Sequence, residues 1–205
     1  MLYDAANSLQ QCDFTNTENA VHAFQKVEHV IELFDDHADH EDSHILHPMD
    51  VHNPSLVAEF ENEHITDRRL GAEISSAIAM YRSAANDMDR VRAGEKAFYA
   101  FNEFIAFNLV HMNKEETVLN QALWSLYSDA EIGGINGKIA ASVAPERSAH
   151  SLKWMMRSCN NAEIGQFIGR VKATAPEPLY NMMLGIAEQE LPAHRWDIVK
   201  EHIGA

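Results

Sequence analysis

The chain is poor in most features that mark secreted, membrane-spanning or nucleic-acid-binding proteins. Its 205 residues include two cysteines, Cys12 and Cys159, far apart and outside any CxxC spacing. A disulfide framework and a zinc–thiolate site are therefore not expected, and a reducing cytoplasm is the expected setting. No run approaches the ~18 uninterrupted apolar residues that a membrane span requires. The opening MLYDAANSLQQCDF has neither the basic nor the apolar region of a signal peptide. Basic residues number 16 against 31 acidic, a formal net charge of −15, which argues against nucleic acid or anionic membrane as a partner. Neither G-x-x-x-x-G-K-[ST] nor G-x-G-x-x-G occurs, so nucleotide binding has no support. Proline (6) and glycine (9) are scarce, and what remains is rich in Ala, Glu, Met and Leu, a composition tilted towards helix.

The pattern is helical throughout, with no convincing alternating strand. A first helix covers about residues 1–12 and stops before Asp13. Thr15 or Thr17, with Glu18 close behind, caps a second helix running to about His47, which Pro48 and Asn53-Pro54 end. Pro54 or Ser55 opens a third, expected to reach about Arg92 with Gly94 as its stop; a fourth covers about Glu95 to Tyr127. A shorter helix starts at Ser128-Asp129 and weakens at Gly133-Gly134. After Pro145 the texture changes to short helices over about 146–159, 161–174, 176–189 and 191–203. The expected architecture is all-α: an antiparallel bundle over residues 1–130, with residues 131–205 as small helices packed on it in the same domain.

Histidine is the anomaly, because eight of the 12 fall between His22 and His64. Counting about 100° per residue separates them. On the second helix Val27, Ile31, Phe34, Ala38 and Ile45 form an apolar stripe that contains Glu41, with His37 at its edge. His44 lies further round and His40 further still. On the third helix His64 shares a face with Val57, Phe60, Gly71, Ile74 and Ile78. On the fourth, His111 and Glu115 fall among Phe101, Phe104, Val118, Leu119, Ala122 and Leu126. His22, His29, His47, His52, His194 and His202 read as solvated surface.

His37-x3-Glu41 and His111-x3-Glu115 repeat one spacing, and an i, i+4 pair lets both side chains reach one point. One buried histidine is usually a satisfied core residue. Three imidazoles and two carboxylates aimed at one apolar interior are harder to explain that way. An unpaired buried carboxylate costs on the order of several kcal/mol, and the nearest candidate cation is Arg68. A metal ion removes the penalty, and imidazole with carboxylate suits iron or manganese.

Three ordered motifs carry a resemblance: His37-Ala-Asp-His40-Glu41-Asp42-Ser-His44-Ile-Leu-His47-Pro48, then Glu63-His64, then His111-Met-Asn-Lys-Glu115-Glu116. Over about residues 18–127 the chain resembles hemerythrin-like proteins of the HHE cation-binding family. That resemblance implies a four-helix bundle with a non-haem di-iron centre. His37, His64 and His111 would be terminal ligands, and Glu41 and Glu115 would bridge the metals. Manganese or zinc are the other metals in view. Family members also supply a histidine from the first helix, and this chain has none before His22. His40, His44 or His150 would take its place, or one metal would keep an open position.

The leading functional expectation is a di-iron protein that engages dioxygen, nitric oxide or peroxide, or that senses or handles iron. Phe34, Phe60, Phe104 and Phe107 would wall the centre from water. An oxidase or reductase acting on a separate substrate is the second expectation, with Tyr81, Tyr99 and His40 as the available acid/base groups. The third is a metal-depleted structural bundle whose Trp154-Met155-Met156 and Met182-Met183 clusters serve as an interface; a homodimer is compatible with each. His40-Glu41-Asp-Ser-His44 also spells the zinc-protease form H-E-x-x-H. That reading is disfavoured because Glu41 lies on the core stripe while both histidines lie off it.

Overall fold

The computed structural model describes residues 1–204, the side chains of residues 145 and 146 excepted. Its elements in chain order are α1 (Leu2–Gln10), α2 (Thr17–Glu41), a π-helical segment π1 (Asp42–Leu46), α3 (His47–Met49), α4 (Pro54–Arg82), α5 (Asp87–Lys114), a second π-helical segment π2 (Glu115–Leu119), α6 (Asn120–Leu126), α7 (Asp129–Ser142), α8 (Pro145–Ser158), α9 (Asn161–Thr174), α10 (Glu177–Glu190) and α11 (Ala193–Ile203). The fold is all-α, with no strand among the described residues. No helix among them is long and apolar enough to cross a membrane. The chain divides into two compact units, Met1–Ile139 and Ala140–Ala205.

The first unit is a helical bundle. Gly71 faces Phe104, Asp67 meets Asn108, His64 meets His111 and Phe60 meets Lys114, so α4 and α5 run antiparallel. α2 also runs opposite to α4: Glu28 pairs with Arg82 at one end, and Asp42 with His64 at the other. Two apolar clusters fill the interior. One draws Leu9, Phe24, Val27, Ile78 and Phe101 from α1, α2, α4 and α5. The other gathers Leu46, Met49, Val57, Phe60, Leu119 and Leu123 at the far end. Among the described residues the buried polar side chains are Glu41, His64, Asp67, Asn108 and His111. All five belong to the stretch of bundle between the two clusters. A polar layer thus cuts an otherwise apolar core.

Several helix boundaries differ from the sequence expectation, each for a capping reason. α4 ends at Arg82 rather than about Arg92, because Asn86 caps a new helix by accepting from the amide of Asp89. Gly94 therefore lies inside α5 and is not a stop. A Cβ there would sit 2.3 Å from the Phe14 ring, so glycine serves a close approach. The cap of α2 is Asn16, between the two expected threonines; it accepts from the amides of Glu18 and Asn19. α7 continues through Gly133-Gly134 and buries no side chain.

The π-helical segments also depart from the expectation of unbroken α-helix. Each adds one residue to a turn and rotates the following side chains by about 100°. Leu46 and Met49 are therefore buried, and Ile45 only partly so. After π2, Leu119 and Leu123 point inward while Val118 and Leu126, expected in the core, are exposed.

The second unit has its own core of Met156, Ile164, Ile168, Met183, Ile186 and Val199. A capping box opens α9, with Asn160 and Glu163 exchanging side-chain-to-backbone bonds. Met156 and Met183 are core residues, whereas Met182 is exposed.

Candidate metal centre

α2, α4 and α5 each deliver an imidazole to the polar layer, and both His-x3-Glu motifs end where a π-segment begins. Glu41 is the last residue of α2, and Glu115 is the first of π2. Such π-turns recur at functional sites because they re-aim side chains without ending the helix.

The five expected ligands converge. His37 Nε2 lies 3.3 Å from Glu115 Oε1 and 3.7 Å from Glu41 Oε2. His64 Nε2 is 3.4 Å from Glu41 Oε2, and His111 Nε2 is 3.0 Å from Glu115 Oε1. They form two overlapping triads, Glu41–His64–His111 and His37–Glu41–Glu115, whose ligand atoms lie within 4.8 Å of one another. Glu41 is common to both. Its side chain is 3 % exposed and that of His64 is 1 %, whereas His37 keeps 42 % of its surface and so forms the open edge.

Both carboxylate oxygens of Glu41 and Nε2 of His64 are buried without a hydrogen-bond partner. Their 3.4 Å approach is attractive but lacks hydrogen-bond alignment. Buried polar atoms are satisfied in the great majority of cases. Three such orphans on neighbouring side chains fit the donor set of a cation, and their nitrogen and oxygen atoms suit iron, manganese or zinc.

The outer nitrogens of two rings are held. Asp42 Oδ1 lies 2.6 Å from His64 Nδ1, and Glu63 Oε2 lies 2.8 Å from His111 Nδ1. Each carboxylate is backed by a cation: Arg68 bridges Asp42 and Asp39 at 3.2 and 2.8 Å, and Lys114 reaches Glu63 and Glu59 at 2.5 and 2.6 Å. No lysine or arginine among the described residues pairs with Glu41; its ion-pair partners are the imidazoles of His37 and His64. Glu63 and Asp42 were legible as members of the motifs, but their role was not, because it depends on which helices face each other.

Electrostatics follow from this geometry in the metal-free state. Burial alone would lower His111, but Glu115 and Glu63 outweigh it and raise its pKa to about 9. Burial would likewise lower His37 and His64, and their carboxylate neighbours raise both. Glu115, which burial would raise, is pulled down to about 2 by His111 and His37.

Other sequence candidates have other partners. His40 and His44 stack on each other at 6.3 Å and belong to neither triad. His150 Nε2 accepts from Trp154 Nε1 at 3.0 Å. The Tyr81 hydroxyl donates to the Phe14 carbonyl at 2.9 Å, and Tyr99 is exposed. Phe60 and Phe107 flank the His111 ring at 5.7 and 6.1 Å, and Phe34 packs edge-on against Phe104 at 5.5 Å. The Asp67–Asn108 pair was missed, since neither residue belongs to a motif. Comparison of the chain with protein-family models, with curated proteins and with solved structures finds no match.

Proposed function

We propose that this chain is a non-haem di-iron protein of the hemerythrin-like kind, in which His37, Glu41, His64, His111 and Glu115 hold the metals. The observation that carries the reading is Glu41: a buried carboxylate with two unpartnered oxygens, shared by two overlapping ligand triads. The order of the three motifs along the chain supports the same conclusion. Glu41 touches His64 and His37, and Glu115 touches His37 and His111, the positions expected of carboxylates lying between two metals.

When bound, a ferrous pair would supply electrons and open coordination positions for dioxygen, nitric oxide or peroxide, and the same ligands would serve iron sensing or handling. The chain's own residues do the rest. Asp42 and Glu63 orient two imidazoles so that each Nε2 faces inward. Phe60 and Phe107 cover the His111 ring and exclude water on that side. The half-exposed His37 marks the side from which a small ligand enters.

Anaerobic loading with ferrous iron, followed by elemental analysis and Mössbauer spectroscopy, tests the reading. Retention of about two irons per folded chain is expected of this ligand arrangement. A folded protein that retains no metal, or a Glu41→Gln variant that retains as much as the parent, would overturn it.

A further inference from the structure

One buried polar pair has no part in the ligand set. Asp67 lies three residues beyond His64 on α4, and Asn108 three residues before His111 on α5, so they meet one turn from the metal layer. Gly71 and Phe104 form the next layer. Asp67 and Asn108 are 3 % and 0 % exposed. Asn108 Nδ2 donates to Asp67 Oδ1 at 2.5 Å and to the Phe104 carbonyl at 3.1 Å, which uses both amide hydrogens and fixes the orientation of the amide. Asn108 Oδ1 is buried with no partner.

An ionised Asp67 leaves this arrangement unsatisfied in two respects. A carboxylate can only accept, so it offers nothing to Asn108 Oδ1. It also leaves a charge in the interior without a cation directly on it: Arg68, its neighbour on α4, is engaged by Asp39 and Asp42. A protonated Asp67 removes the charge and brings into the pair the donor that Asn108 Oδ1 lacks. The charged surroundings pull both ways. Asp35 faces the pair from α2 and repels a second negative charge, while His64 and Arg68 on α4 and His111 on α5 favour one. Burial outweighs these attractions and raises the pKa of Asp67.

We propose that Asp67 and Asn108 form a buried proton-holding site, neutral in the metal-free protein, which gives up its proton to solvent when cations fill the adjoining ligand layer. The step is the ionisation of one carboxylic acid, with the proton leaving to water and the carboxylate offsetting part of the added positive charge. Asp35, half-buried on α2, has its pKa raised by burial and by the charge of Asp67. The metal-coupled half of this inference rests on the di-metal reading above; the proton-holding half does not.

Infrared spectroscopy of protein carrying carbon-13-labelled aspartate reads both halves. The metal-free protein at neutral pH should show the carbonyl stretch of a protonated carboxyl, sensitive to deuterium oxide and absent from Asp67→Asn. In Asn108→Ala the band should shift, which keeps the test alive if Asp67→Asn fails to fold. Zinc(II), a redox-inert probe, should abolish the band once elemental analysis shows it bound. No protonated-aspartate band in the metal-free protein, or a band that survives Asp67→Asn, overturns the proposal. A band unchanged by bound zinc overturns the coupling. If no zinc binds, the di-metal reading falls and takes the coupling with it, while the metal-free spectrum still decides whether Asp67 holds a proton.

Discussion

Glu63 Oε2 lies 2.8 Å from Nδ1 of His111, and the opposite nitrogen of that ring lies 3.0 Å from Glu115. The ring is thereby held between two carboxylates, with Lys114 anchoring the outer one. His64 is held by Asp42 on its outer nitrogen, while its Nε2 approaches Glu41 at 3.4 Å without a hydrogen bond. A carboxylate on the outer nitrogen keeps its proton there and leaves Nε2 free to ligate. Glu63→Gln and Asp42→Asn should therefore each weaken metal binding by about 10–100-fold. Competition against a chromophoric chelator measures this. Unchanged affinity would mean that these carboxylates are only members of surface ion-pair networks.

The same contacts make the metal-free protein sensitive to pH in two windows. His111 is raised from 6.5 to about 9, so its contribution is complete below about pH 6.5 and is lost as pH rises through 9. Glu115 is lowered from 4.5 to about 2, so its contribution is present above about pH 4.5 and disappears as pH falls through 2. Urea midpoints of chelator-treated protein should thus rise between about pH 2 and 4.5 and fall between about pH 6.5 and 9, and the raised pKa of Asp67 adds a further loss as pH rises above 3.8. A flat alkaline limb would show that His111 is not charged by its neighbours.

Periodicity made the inward-facing His and Glu cluster legible because its members sit on helices that are regular up to the site. Val27, Phe60 and Phe104 define three apolar faces, and Glu41, His64 and His111 fall on them. Beyond Glu41 and Glu115 the same counting misplaces Ile45, Val118 and Leu126, because each π-turn inserts a residue. A π-turn has no strong sequence signal; here each one lets a carboxylate, Glu41 or Glu115, face inward while apolar residues after it, Leu46 or Leu119, do so too. The break at Asn86 carried a signal in Asn86 followed by Asp87 and Asp89, but Gly94 looked like the stronger stop. Only the packing of Phe14 explains that glycine.

Gly94 offers a test of this packing. In an exposed helix Gly→Ala gains about 1 kcal/mol from propensity, but here the added methyl would meet the Phe14 ring at 2.3 Å. Phe14 is held by Phe24, Tyr81 and the hydroxyl of Tyr81 on its carbonyl, so it has little room to yield. Gly94→Ala should destabilise by about 1–3 kcal/mol, as overpacking does. Adding Phe14→Ala should make the two losses clearly non-additive in a thermal or denaturant double-mutant cycle. Simple additivity would place the cost elsewhere than in this contact.

Glu41 should show the largest conflict between stability and function in the chain. Both of its oxygens are buried without a hydrogen-bond partner, and only the imidazoles of His37 and His64, at 3.7 and 3.4 Å, stand near enough to offset its charge. Methionine has nearly the same length and no polar atoms, so Glu41→Met removes the unsatisfied group without leaving a large void. The metal-free variant should be more stable than the metal-free parent by about 1–3 kcal/mol, the cost of orphaned buried polar atoms. Metal retention should be lost, because both triads contain Glu41. With metal present the order should reverse, since binding to the folded state alone stabilises the parent. Thermal melts of parent and variant, each with chelator and with ferrous iron, give the four numbers required. A variant less stable than the parent in chelator would mean that Glu41 is a satisfied core residue, and the main argument for a metal at this site would fail.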